Sequence, residues 1–160
     1  MNDLTFLSAT HLAALIRRRT VSAEEVMRAH LARIDAVNPH LNAVVQAAPA
    51  QALARARAAD AAAVRGEWWG PLHGVPFTVK DWIETNDLVC TAGYAPRIGY
   101  VPPVDATVVA RMRRAGAILL GKTNAVSGNE VYGLTNNPYN LAHSPAGSSS
   151  GEAAIIAAGG

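Results

Sequence analysis

At 160 residues, half of them hydrophobic, the chain is long enough to bury one sizeable core and short enough to form a single domain. Charged residues make up 16% and the formal net charge is +2, which is too small to call for nucleic acid, so none is expected as a partner. The single cysteine, Cys90, cannot form an internal disulfide, Asp3 sits where a signal peptide would be positive, and no apolar run approaches the ~18 residues of a membrane span; a soluble cytoplasmic protein without membrane attachment is expected.

Ser8 is placed to cap a first helix over about Ala9 to Arg19, with Leu12, Leu15 and Ile16 on one face and three arginines at the end that suits positive charge. Ser22 and Glu25 have capping-box spacing for a second helix, which carries Val26, Leu31, Ile34 and Val37 and is predicted to stop before Pro39. Leu41 to Gln46 reads as a short strand, and Pro49 opens an alanine-rich helix to about Arg65 that Gly66 ends. Trp68-Trp69 before Gly70-Pro71 marks a turn packed by aromatic rings. Val75, Phe77 and Val79 then alternate onto one side of a strand, leaving Thr78 and Lys80 on the other. On spacing alone Lys80 is a strand-end lysine that could pair with Asp81.

Thr91 to Pro103 is rich in Gly and Pro and reads as loop. Asp105 is placed to cap a helix through Arg114, Gly116 to end it, and Ala117 to Leu120 to form a buried strand. Gly116 to Thr123 fits the P-loop pattern letter for letter, but a P-loop needs a strand before its first glycine and a phosphate cradle after it. Here a helix precedes Gly116 and a strand fills the cradle, so a P-loop nucleotide-binding module is the least favoured reading. The five histidines lack the short spacings of metal-ligand pairs, so no metal site is expected; His73 and His143 are taken as structural or as supporting site residues from behind. Of the basic residues twelve are arginine and two, Lys80 and Lys122, are lysine. A lysine kept against that bias suits a site that needs an amine able to lose its proton.

The most unusual stretch is His143 to Ala154, where Ser148-Ser149-Ser150 lies between Gly147 and Gly151 at the start of a small-residue helix. Backbone N–H groups in such a loop, with a helix N-terminus behind them, suit an anionic or polarised ligand group. Ser149 and Glu152 also have capping-box spacing, which leaves Ser148 and Ser150 unexplained. Ser144 to Ala154 resembles the serine-glycine signature of the amidase signature family, with Ala146 and Ser150 standing where the family has glycine. Gly70 to Asp81 is similar to a second motif of that family. Thr91-Ala92-Gly93, Gly116 to Asn124, and Asn129 to Tyr139 resemble three more, although only residues 125–128 separate the last two where the usual linker is longer.

The resemblance implies an α/β fold with a mixed central sheet flanked by helices, incomplete here. Residues 1–66 would form a helical arm and residues 67–160 the start of the amidase core. It implies hydrolysis of an amide carbon–nitrogen bond in a small-molecule substrate by a Ser-cisSer-Lys mechanism without a cofactor. Lys80 matches the base and Ser148 the proton-relaying serine on a cis peptide, with Gly147, Ser149 and Ser150 supporting the loop or substrate. The family's nucleophile motif lies beyond Gly160, so the chain is expected to be a fragment with no nucleophile, inactive alone, and prone to self-association through an exposed sheet edge. A member of a tRNA-dependent amidotransferase complex, serving as its amidase component, and a non-catalytic amidase-like interaction protein are the alternatives.

Overall fold

The structure, a computed structural model, describes residues 4–126 and 128–160. In chain order its elements are α1 (Ala9–Arg17), α2 (Ala23–Leu41), β1 (Val44–Ala47), α3 (Pro49–Val64), β2 (Pro76–Lys80), α4 (Thr107–Arg114), β3 (Ile118–Thr123) and α5 (Ser150–Ala157).

Ser8 Oγ accepts from the His11 N–H and starts α1, which buries Leu12 and Ile16. The Ser22–Glu25 capping box forms in full at the start of α2. The Asp60 carboxylate of α3 accepts from the backbone N–H groups of Ala23 (2.7 Å) and Glu24 (3.0 Å), filling two of the donors a helix start leaves open. Against expectation α2 runs through Pro39 to Leu41. A proline in the last turn removes one helical hydrogen bond, and Asn42, left-handed at φ 50°, closes the helix by donating to Asn38 O at 2.8 Å. Along α3 the buried Ala52, Ala56, Ala59 and Ala63 recur on one face, small enough for close packing.

The sheet has the order β1-β3-β2, with β1 antiparallel and β2 parallel to β3. The strand β1 thus joins the N-terminal helical region to the sheet. All six residues of the central β3 are buried. It continues past Leu120 because Gly121 lets β1 approach; a Cβ there would lie 2.4 Å from Gln46 O. The P-loop reading fails on this point, since Gly121, Lys122 and Thr123 are strand and Lys122 is fully buried. Helix α4 starts one residue later than Asp105 would place it, with no side-chain cap. The Asp105 carboxylate instead accepts from Asn86 N–H at 3.0 Å and pairs with Arg113 at 3.2 Å.

One hydrophobic cluster joins α1, α2, α3, β1, β3 and α5, and a smaller one of Val79, Val109 and Leu119 lies under α4. Among the described residues no helix is long and apolar enough to cross a membrane, and no three metal-ligating side chains gather.

Candidate active site

The end of β2 and the start of α5 meet because the end of β3 and the residue after it are fastened to both: Asp81 N–H donates to Thr123 O at 2.9 Å, and Gly151 N–H donates to Asn124 O at 3.2 Å, while Asn124 N–H donates to Ala43 O at 2.8 Å. A Cβ on Gly151 would lie 2.4 Å from Asn124 N and 2.6 Å from Ala43 O, so glycine is what allows α5 to begin there. One residue on, the Glu152 carboxylate accepts from Thr78 Oγ1 of β2 (3.0 Å) and Thr123 Oγ1 of β3 (2.9 Å). The predicted Ser149–Glu152 capping box therefore does not form: Glu152 is engaged by the sheet, and Ser149 makes no cap hydrogen bond.

Ser149 turns to the lysine instead. Lys80 Nζ donates to Ser148 Oγ at 2.9 Å and to Ser149 Oγ at 3.1 Å. Lys80 is 7% exposed, whereas both serines are exposed. Burial pulls the Lys80 pKa below the ordinary lysine value, and the nearby charge of Glu152 opposes this. The Trp82 ring lies over the amine, its centroid 3.7 Å from Nζ. Asp81 is occupied elsewhere: its carboxylate accepts from Thr91 Oγ1 at 2.7 Å and Gln46 Nε2 at 3.2 Å. Among the described residues no carboxylate is bonded directly to Lys80.

The structure brings together Lys80, Ser148 and Ser149 and keeps Ser150 apart, fully buried in the first turn of α5 with no hydrogen-bond partner for its hydroxyl among the described residues. Gly147 takes φ 71° and Ala146, in a place where the family has glycine, takes φ 61°, so the loop keeps a left-handed turn at both. The cis peptide implied for Ser148 is absent, every described peptide being trans. A non-proline cis bond costs about 2.5 to 4 kcal/mol and persists only where contacts enforce it; residues 146–149 are exposed, and Ser148 reaches Lys80 in trans.

The other lysine faces away from this site. Lys122 pairs with Val79 across the sheet, while Lys80 pairs with Thr123, so the two amines lie on opposite faces. Lys122 Nζ donates to Ile83 O at 2.7 Å, beside Cys90, whose thiol donates to Asp81 O at 2.9 Å. Burial lowers the Lys122 pKa and raises that of Cys90. His73 is structural, held between Trp69 N–H and Ala59 O at 3.1 Å each, and His143 is exposed. Beyond the short 125–128 segment, of which Ser127 lies outside the described residues, Asn129 Nδ2 donates to Asn124 Oδ1 at 2.6 Å and ties the following turn to β3. Sequence reading missed Trp82 and the Glu152 bridge. Trp82 could have been noticed as an aromatic residue two positions after Lys80; the bridge joins residues too far apart in the chain to leave a local pattern.

A family model described as Amidase matches residues 25–160. The chain belongs to the amidase family. Over 99% of its length it is 46% identical to a glutamyl-tRNA(Gln) amidotransferase subunit of Acidothermus cellulolyticus, and over 98% it is 41% identical to an acylamidase of Rhodococcus erythropolis. It covers 33% and 34% of those two amidase-family proteins, about a third of their length. Among solved structures it is similar to a fatty acid amide hydrolase, with TM-score 0.92 and 30% identity over 99% of this chain and 30% of that one. It is also similar to the peptide amidase of Stenotrophomonas maltophilia, with TM-score 0.87 and 36% identity over 94% of this chain and 34% of that one.

Proposed function

We propose that residues 1–160 are the N-terminal part of one amidase domain and supply the base and the proton relay for hydrolysis of a small-molecule amide, with the nucleophile contributed by sequence outside them. The observation that carries this reading is the 2.9 Å contact between a buried lysine and a serine hydroxyl. In its neutral form Lys80 accepts the Ser148 proton while Ser148 takes one from the attacking hydroxyl; the reverse transfers deliver a proton to the departing amine. Desolvation supports this role by favouring the neutral amine. The transfers need only side chains, and Ser149 and Gly147 shape the loop that presents Ser148.

The test is a chimera in which this chain replaces the matching third of the Rhodococcus erythropolis acylamidase, assayed on aryl amides beside the 160-residue chain alone. The chimera is expected to turn over and the isolated chain is not. Lys80→Met is expected to lower kcat of the chimera by about 10² to 10⁴-fold. Survival of full activity in Lys80→Met defeats the proposal, as does turnover by the isolated chain that Ser150→Ala abolishes.

The 46% identity to an amidotransferase component favours a second reading, in which the amide is glutamine and the ammonia passes to partner subunits. Co-purification with such partners and tRNA-dependent glutaminase activity would select it. We further propose that the isolated chain self-associates through the free edge of β2.

A further inference from the structure

Trp82 is the residue at the site that the proposed chemistry leaves without a task. It leaves β2 on a turn closed by Ile83 N–H to Lys80 O at 2.9 Å. That turn is braced from several elements: Asp81 N–H donates to Thr123 O at 2.9 Å, the Asp81 carboxylate holds Thr91 and Gln46, and Lys122 Nζ donates to Ile83 O. The braced backbone carries the indole over Lys80 Nζ at 3.7 Å while Trp82 stays 44% exposed. One face of a large ring is therefore set on an amine and the rest is left in water.

We propose that Trp82 is a positioning residue for the base: its indole caps Lys80 on the solvent side, holds Nζ on Ser148 and Ser149 as an ammonium, and yields to an apolar substrate group, whereupon the ammonium releases a proton to water and the neutral nitrogen is free to accept one. This rests on the reading of Lys80 as base. The π face attracts a cation and has no comparable hold on a neutral amine, so the contact stabilises the charged form that burial opposes.

The other groups around the nitrogen are accounted for. From α5, Glu152 also favours the ammonium; the loop before it offers only neutral serine hydroxyls; β2 offers neutral Thr78; and Lys122 of β3 lies on the far face. Helix α4 faces this region with Val108, Val109 and Met112, which with Phe77, Val79 and Ile83 line an apolar cavity of about 350 Å³ reaching Lys80 and Ser149. An apolar group that displaced the indole would leave the nitrogen as dry as before but without the π face, shifting it toward the neutral base.

The chain has only two lysines, so isotopic labelling of lysine gives two side-chain signals, assigned by Lys80→Met. The pH titration of the Lys80 signal in the 160-residue chain is compared with that in Trp82→Leu, Trp82→Met and Trp82→Phe. The buried Lys122 signal reports that each variant is folded. Removing the ring is expected to raise the neutral-to-protonated ratio of Lys80 about threefold at a given pH in the Leu and Met variants, with Phe between them and the wild type. A Lys80 titration in the folded Leu or Met variant that coincides with wild type, or moves to higher pH, overturns the proposal. Since the measurement involves no turnover, it can fail while the amidase reading stands, and Lys80→Met in the chimera can fail while the capping contact stands.

Discussion

Glu152 performs two tasks with one carboxylate. It accepts hydroxyl hydrogen bonds from Thr78 and Thr123, tying the first turn of α5 to two strands, and its charge is the electrostatic influence on Lys80 that works against desolvation. The tasks separate in Glu152→Gln, which keeps the shape and one acceptor oxygen but loses the charge. Hydrogen bonds to charged groups contribute about 1.5 to 3 kcal/mol and neutral ones about 1, so a loss of about 1 kcal/mol is expected in urea unfolding. Because the Glu152 charge raises the Lys80 pKa, the Lys80 titration should move to lower pH in the same variant. A stability loss with an unmoved titration would leave Glu152 as a tether alone.

At the scale of elements the same local pattern has two outcomes. Ser22-x-x-Glu25 forms a capping box, whereas Ser149-x-x-Glu152 does not. The difference lies in the surroundings: Glu152 begins a helix packed against β2 and β3, where two threonine hydroxyls compete for it. Helix and strand periods, proline and glycine stops, and the strand inside the P-loop pattern could be read locally. The use of Asp105 on Asn86 and the bridge from Glu152 to Thr78 and Thr123 are set by partners brought close only by folding. The pairing of Lys80 with Ser148 came from the family resemblance and not from spacing.

His73 shows a tertiary partner acting on an element and gives it a pH dependence. Its Nδ1 accepts from Trp69 N–H, so Nε2 carries the proton and donates to Ala59 O of α3. Burial is the main cause that lowers its pKa below the ordinary 6.5. The unfolded chain therefore takes up this proton first as pH falls through about 6.5, and the His73 contribution to stability is complete above that value and declines below it, toward the folded pKa. His73→Gln should lower stability at pH about 7.5 by about 1 to 3 kcal/mol through buried groups left unpaired, and its deficit should shrink at pH about 5.5. Urea midpoints of both proteins at the two pH values check this; a deficit that grows on acidification contradicts it.

For the whole molecule the decisive feature is a short sheet with two edges. The strand β3 is paired on both sides, while β1 and β2 are each paired on one side only among the described residues, and β2 is the edge beside α4. Neither the order nor the mixture of parallel and antiparallel pairing could be derived from strand patterns, since each strand reads alike whichever neighbour it takes. Beside the β2 edge Val108 of α4, 52% exposed, lines the apolar cavity that reaches Lys80, and Val104, 65% exposed, lies a few residues before the helix. An unpaired edge next to uncovered apolar surface is a template for another strand, so the isolated chain is expected to associate reversibly with its own copies. Sedimentation velocity from about 1 to about 100 μM should show the average mass rising with concentration. A lysine at an exposed position of that surface, Val108→Lys, is expected to weaken association about tenfold, which corresponds to about 1.4 kcal/mol, and to leave urea stability nearly unchanged because the residue packs little. A wild-type chain that remains monomeric across this range, or a Val108→Lys chain that associates equally well, would show that the β2 edge is not the contact.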